Sequence, residues 1–158
     1  MILVSSCLAG LEVRYDGNHS LHSKVRRLVE HKKAVTVCPE LLGGFGTPRE
    51  PAEIIGESGE DVLDGNARVV DKTGKDVTAS YIEGAEKALE IAKRVGATTI
   101  ILKENSPSCG SSMIYNGEFN GKKVVGDGVT SALLKRNGFT VISEKQFVEG
   151  NGSPSVES

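Results

Sequence analysis

Three cysteines, Cys7, Cys38 and Cys109, stand 31 and 71 positions apart and are the chain's only thiols. An odd number cannot pair completely, so a full internal disulfide framework is excluded. In a reducing compartment such thiols stay free and serve metal binding or catalysis, although a cysteine taken singly is often just a small buried apolar residue. Their separation differs from the compact Cys-x-x-Cys pairs of zinc ribbons and thioredoxins. Three uses remain open. A zinc site would need a fourth ligand from His19, His22 or His31. A cubane iron–sulfur cluster held by three thiolates would leave one iron open to a soft donor such as sulfur. A metal-free enzyme would use Cys7 or Cys109 as a nucleophile.

Other reactive groups lie beside the cysteines. Glu40 follows Cys38 by two residues, beyond the stiff Pro39. A carboxylate there would sit near any metal at Cys38 and could act as a general acid or base, although from spacing alone a surface or helix-capping role is commoner. Ser106-Pro107-Ser108-Cys109-Gly110 is a rigid loop with two hydroxyls and one thiol. Its backbone N–H groups form either a nest for anionic sulfur or a capping turn. Arg14, Arg49 and Lys103 lie near these segments and could hold a phosphate or an oxyanion, though each singly reads as a solvated charge. Leu42–Gly46 is glycine-rich but lacks the P-loop pattern, and it reads as a flexible loop.

The intervening segments supply the frame. Ile2–Ser5, Ala34–Val37, Thr98–Leu102 and Thr140–Ser143 are short apolar or β-branched runs expected to be strands. Ser23–His31, Thr78–Val95 and Val129–Arg136 carry apolar residues at helical spacing. Strands separated by helices predict an α/β fold: a single Rossmann-like domain with a mostly parallel sheet, helices on both faces and a small hairpin excursion. Such sheets bind ligands outside the carboxyl ends of their strands, where all three cysteines fall. Residues 43–66, rich in Gly and Pro, read as irregular. Ala67–Val70 with a turn at Lys72–Lys75 reads as half of a weak hairpin, and residues 111–128, with two Asn-Gly pairs, as another. The domain is expected to span residues 1–146, with a disordered polar tail over 147–158.

At 158 residues the chain is long enough for one core. Nineteen basic and 21 acidic residues leave a formal charge of −2, so no stable nucleic-acid complex and no charge-driven membrane binding is expected. No apolar run approaches the ~20 residues that span a bilayer, and the start has no basic leader. A cytoplasmic location is expected. Nothing in the sequence signals an oligomeric state.

Taken together, several segments are similar to the thiouracil desulfidase (TudS-type) family. They are Val4–Gly10 with Val13–Gly17, Cys38–Gly44 through Pro48–Ile54, Asp76–Thr78, Ser106–Gly110, Ile114–Gly117 and Gly126–Thr130. The resemblance runs from about Ile2 to Glu144. It implies a four-iron, four-sulfur (4Fe-4S) cluster ligated by Cys7, Cys38 and Cys109. It further implies conversion of a small-molecule thiolated pyrimidine (base, nucleoside or nucleotide) to its oxygen analogue with release of sulfide. By motif, Glu40 is the catalytic carboxylate and Ser106 its partner. Arg14, Arg49, Lys103 and Ser108 are the candidate substrate contacts.

Overall fold

The first strand, Ile2–Ser5, is buried along its whole length, which requires neighbours on both edges and cover on both faces. A computed structural model describes residues 1–9, 23–46 and 49–148. In chain order the elements are β1 (Ile2–Ser5), a 3-10 turn (Ser6–Ala9), α1 (Ser23–Glu30), β2 (Ala34–Val37) and α2 (Pro39–Leu42). There follow β3 (Ala52–Ile55), α3 (Gly59–Leu63), β4 (Arg68–Asp71), α4 (Thr78–Arg94) and β5 (Thr99–Leu102). The chain continues through β6 (Met113–Tyr115), β7 (Lys123–Val125), α5 (Val129–Arg136), β8 (Thr140–Ser143) and α6 (Glu144–Val148).

The central sheet is parallel, in the order β2-β1-β5-β8. Alternate residues face opposite sides, as strand geometry requires. On one face Ile2, Val4, Ile101 and Ile142 pack with Val25 and Leu28 of α1 and Phe147 of α6. On the other, Leu3, Ile100, Leu102 and Val141 pack with Ala88 and Ala92 of α4 and Leu134 of α5. The expected α/β architecture with helices on both faces is therefore present. The chain leaves β1 for β2 on one side and returns to β5 on the other. That reversal opens a crevice at the carboxyl ends of the strands. Among the described residues no helix is long and apolar enough to cross a membrane.

Two expectations are corrected. Residues 43–66 are not irregular throughout: they contain β3 and α3, and β3 is the antiparallel partner of β4. The Lys72–Lys75 turn leads only to a single bridge, Val70 to Asp76, because α4 begins at Thr78. Elements of four or five residues show too little periodicity to be read directly. The expected boundary at residue 146 falls inside α6, where Phe147 is fully buried in the core. The expected hairpin over 111–128 is present as β6 and β7. The remainder of the predicted tail, 149–158, lies outside the described residues.

Two contacts fix the loops that follow β2 and β5. α2 lies directly on α4: a Cβ added at Gly84 would stand 2.0 Å from the Pro39 carbonyl oxygen, and one at Gly43 2.2 Å from that of Ser80. Only glycine admits this approach. The loop after β5 is tied at both ends. Glu104 Oε1 accepts the N–H groups of Ser111 (2.8 Å), Ser112 (3.1 Å) and Met113 (3.1 Å), and Oε2 accepts the Ser112 hydroxyl at 2.7 Å. Opposite, Gly128 N–H donates to Gly110 O (2.7 Å), Val129 N–H to Pro107 O (2.7 Å) and Thr130 N–H to Ser108 O (2.9 Å). The donors that the start of α5 cannot satisfy internally are thus met by the loop.

Burial alone would push the Glu104 carboxyl up, but the Ser112 hydroxyl and three N–H groups outweigh it and hold the carboxyl below its ordinary value of 4.5. Glu104→Gln is expected to cost about 1.5–3 kcal/mol at neutral pH, the range for hydrogen bonds to a charged group. Because the folded pKa is depressed, this contribution is complete above the unfolded value and lost as pH falls through the folded one. Urea denaturation across pH should show wild type and variant converging only on the acid side.

Candidate metal centre

The carboxyl ends of β1, β2 and β5 open onto a cavity of about 390 Å³, and Cys7, Cys38 and Cys109 all line it. Cys7 lies in the 3-10 turn after β1, Cys38 is the residue preceding α2, and Cys109 lies in the loop tied down by Glu104. None of the three is in a disulfide; Cys7 and Cys109 are buried and Cys38 is half-buried. Burial pushes the Cys109 thiol well above its ordinary value, and the negative charges of Glu40, Cys38 and Cys7 push it further, against a hydrogen bond with Ser5. Burial likewise raises Cys38, partly opposed by the Leu41 N–H and by Arg49. Three thiols lining one cavity form a donor set that a bound cation would stabilise.

The spacing of these donors matters. Among the described residues no three Cys, His, Asp or Glu side chains are grouped tightly enough to hold a single metal ion. One tetrahedral zinc, with Zn–S near 2.3 Å, would draw its sulfurs to within roughly 4 Å of one another. In a polynuclear iron–sulfur centre each of the three thiolates would instead meet a different iron. His31 is exposed and away from the cavity. His19 and His22 lie outside the described residues.

Glu40 sits in the first turn of α2 and lines the cavity. Tyr81 Oη, from α4, donates to Glu40 Oε2 at 3.0 Å, and Arg49 Nη2 lies 3.3 Å from the same oxygen. The Arg49 side chain is 7% exposed and that of Glu40 14%, so the pair is held away from solvent screening. Burial and the Glu40 charge push the Tyr81 hydroxyl well above its ordinary value, keeping it a donor. Phe45 packs on the Tyr81 ring with centroids 5.2 Å apart. The segment read as a flexible glycine loop is therefore a lid over Tyr81. Sequence reasoning passed over Tyr81 because its place among the apolar positions of α4 reads as core.

Ser106 lines the cavity, and its Oγ accepts the N–H groups of Ser108 (3.0 Å) and Cys109 (3.1 Å). Those N–H groups are used within the loop, so the loop is a capping turn and not a nest. Ser108 needs correction as a substrate contact. It is 1% exposed, its Oγ is 2.7 Å from Thr130 Oγ1, and it does not line the cavity. Arg49 and Lys103 do line the cavity, but each faces a carboxylate: Arg49 meets Glu40, and Lys103 Nζ lies 3.0 Å from Glu144 Oε2. Arg14 lies outside the described residues. Glu53, Asn105, Tyr115 and Phe119, which sequence reasoning did not mark as site residues, also line the cavity.

Three similarities bear on this site. A family model described as 2-thiouracil desulfurase matches residues 2–146. The uncharacterized protein YbbK of Bacillus subtilis (strain 168) is 64% identical over 147 residues, which cover 93% of this chain and 97% of that protein. A solved structure of a 4Fe-4S-dependent thiouracil desulfidase, TudS, matches with a TM-score of 0.82 at 45% identity, covering 94% of this chain and 93% of that one. With nearly its whole length matched, the chain belongs to the 2-thiouracil desulfurase family.

Proposed function

We propose that this protein is a cytoplasmic iron–sulfur enzyme that hydrolytically removes sulfur from a thiolated uracil, as base, nucleoside or nucleotide. Cys7, Cys38 and Cys109 are the ligands of a 4Fe-4S cluster. The observation that carries this reading is the sharing of one cavity by three thiols outside any disulfide and a half-buried carboxylate. The similarity to TudS, a 4Fe-4S-dependent thiouracil desulfidase, supports both the cofactor and the activity. When bound, a cluster with three protein thiolates supplies one iron open to soft sulfur, a Lewis acid suited to a thiocarbonyl.

The chain's own residues supply the rest. Glu40 is the general base, and it takes a proton from the attacking water at Oε1 because Tyr81 and Arg49 occupy Oε2. Their two contacts orient the carboxylate. Ser106 Oγ already accepts two N–H groups, so its own O–H remains available to donate to the attacking water or to the thiolated ring. Water adds its oxygen to the ring carbon and the carbon–sulfur bond breaks. Glu40 returns that proton to the departing sulfur and takes the remaining one from the added hydroxyl, so that thione and water give carbonyl, hydrosulfide and a proton. Lys103, paired with Glu144, also lines the cavity.

Anaerobic reconstitution with iron and sulfide tests this directly. Brown protein with about four irons and four acid-labile sulfides per chain, releasing sulfide from 2-thiouracil or 4-thiouracil, is the expected result. Colourless protein with stoichiometric zinc, or a loaded cluster with no sulfide release, would refute it. Glu40→Gln should retain the cluster absorption and lose roughly 10²–10⁴-fold in kcat, the range for a general base.

Tyr81→Phe removes one hydroxyl from the carboxylate's support. It should lower kcat roughly tenfold, the equivalent of one hydrogen bond to a charged group, with KM and iron content unchanged. Equal kcat in the two proteins would show that Tyr81 does not position Glu40.

A further inference from the structure

Phe119 carries a conformational cost that the fold does not explain. Its φ is +54°, in the left-handed region, which costs a bulky L-residue roughly 1–2 kcal/mol. Among the described residues only Lys32 and Asn105 share this feature without being glycine. Asn105 and Phe119 both line the cavity that holds the cysteines. Phe119 is half-buried and belongs to none of the three apolar clusters of the core. A strained aromatic that contributes nothing to the core, yet faces a ligand cavity, points to function.

The strain is held in place from β3. Glu53, 8% exposed, accepts at Oε1 the N–H of Gly117 (2.8 Å) and that of Phe119 (3.3 Å). Gly117 seats this loop so closely that an added Cβ would stand 2.5 Å from the Ile54 carbonyl oxygen. Tyr115, at the end of β6, lines the same cavity, with the Lys123 ammonium 5.8 Å from its ring centroid.

We infer that Phe119 is the platform on which the substrate's pyrimidine ring stacks, with Glu53 as the residue that positions it. This rests on the desulfidase reading and adds to it the source of ring selectivity. Stacking recognises a planar heterocycle through its π-face. The site thus selects a cyclic thioamide over an open-chain one, whatever substituent the ring carries.

Phe119→Gly separates the possible roles, because glycine keeps the positive φ without strain. With anaerobically reconstituted enzyme, KM for thiouracil should rise roughly 5- to 150-fold, the span of base–aromatic stacking. The KM for thioacetamide, which has no ring, should not change. The cluster absorption and kcat should match wild type, and the urea midpoint should be equal or higher, since relief of strain offsets the added chain entropy. Phe119→Tyr should keep the wild-type KM. An unchanged KM for thiouracil in Phe119→Gly, while wild type turns over, would overturn the platform alone. So would a fall in urea midpoint with no change in KM, which would mark Phe119 as packing. Wild-type enzyme with a full cluster and no sulfide release from thiouracil would overturn the desulfidase reading, and this inference with it.

Discussion

Placing three thiols and a carboxylate around one cavity creates an electrostatic conflict that the rest of the structure must sustain. Burial disfavours the Cys109 thiolate, and the charges of Glu40, Cys38 and Cys7 disfavour it further. Burial favours the protonated form of the Cys38 and Cys109 thiols. A cationic centre reverses that balance, because coordination deprotonates thiols outright. The cavity is consequently built for a guest. Arg49, a permanent cation lining the same cavity, is matched to Glu40. The carboxylate thereby has a counter-charge of its own.

Holding such a site requires backbone that does not relax. The parallel sheet sets the starting points of the three loops, but each loop is fixed by a separate device. Cys7 follows a strand with no exposed residue. Cys38 and Glu40 ride on α2, which glycines allow to lie against α4. Cys109 sits in a loop bound by the Glu104 carboxylate on one side and the start of α5 on the other. The β6–β7 hairpin is drawn against β3 by Glu53. Two carboxylates, Glu53 and Glu104, therefore hold loops by accepting backbone N–H groups, whereas Glu40 keeps one oxygen for chemistry.

The sequence disclosed much of this through local pattern. The four sheet strands are short β-branched or apolar runs, and α4 shows helical spacing over 17 residues, so their types and order were legible. The shared position of the cysteines past strand ends made their convergence readable from topology. What stayed hidden depends on contacts distant in sequence. Tyr81 reaches Glu40 across 41 positions, and Glu53 reaches Gly117 across 64. Neither leaves a periodic trace. Ser108 was misleading for the opposite reason: in a hydroxyl-rich motif beside a cysteine it resembles a site residue, but its partner is Thr130 in the core. Arg49 and Lys103 line the cavity, and their carboxylate partners are tertiary contacts.

The central claim is that three cysteines hold a cluster whose fourth iron is left for the substrate's sulfur. Mössbauer spectroscopy of protein reconstituted with iron-57 tests it most directly, recorded with and without thiouracil. Three irons should keep their parameters while one, distinct from the start, changes when thiouracil is added. Four equivalent irons that do not respond to thiouracil would contradict it.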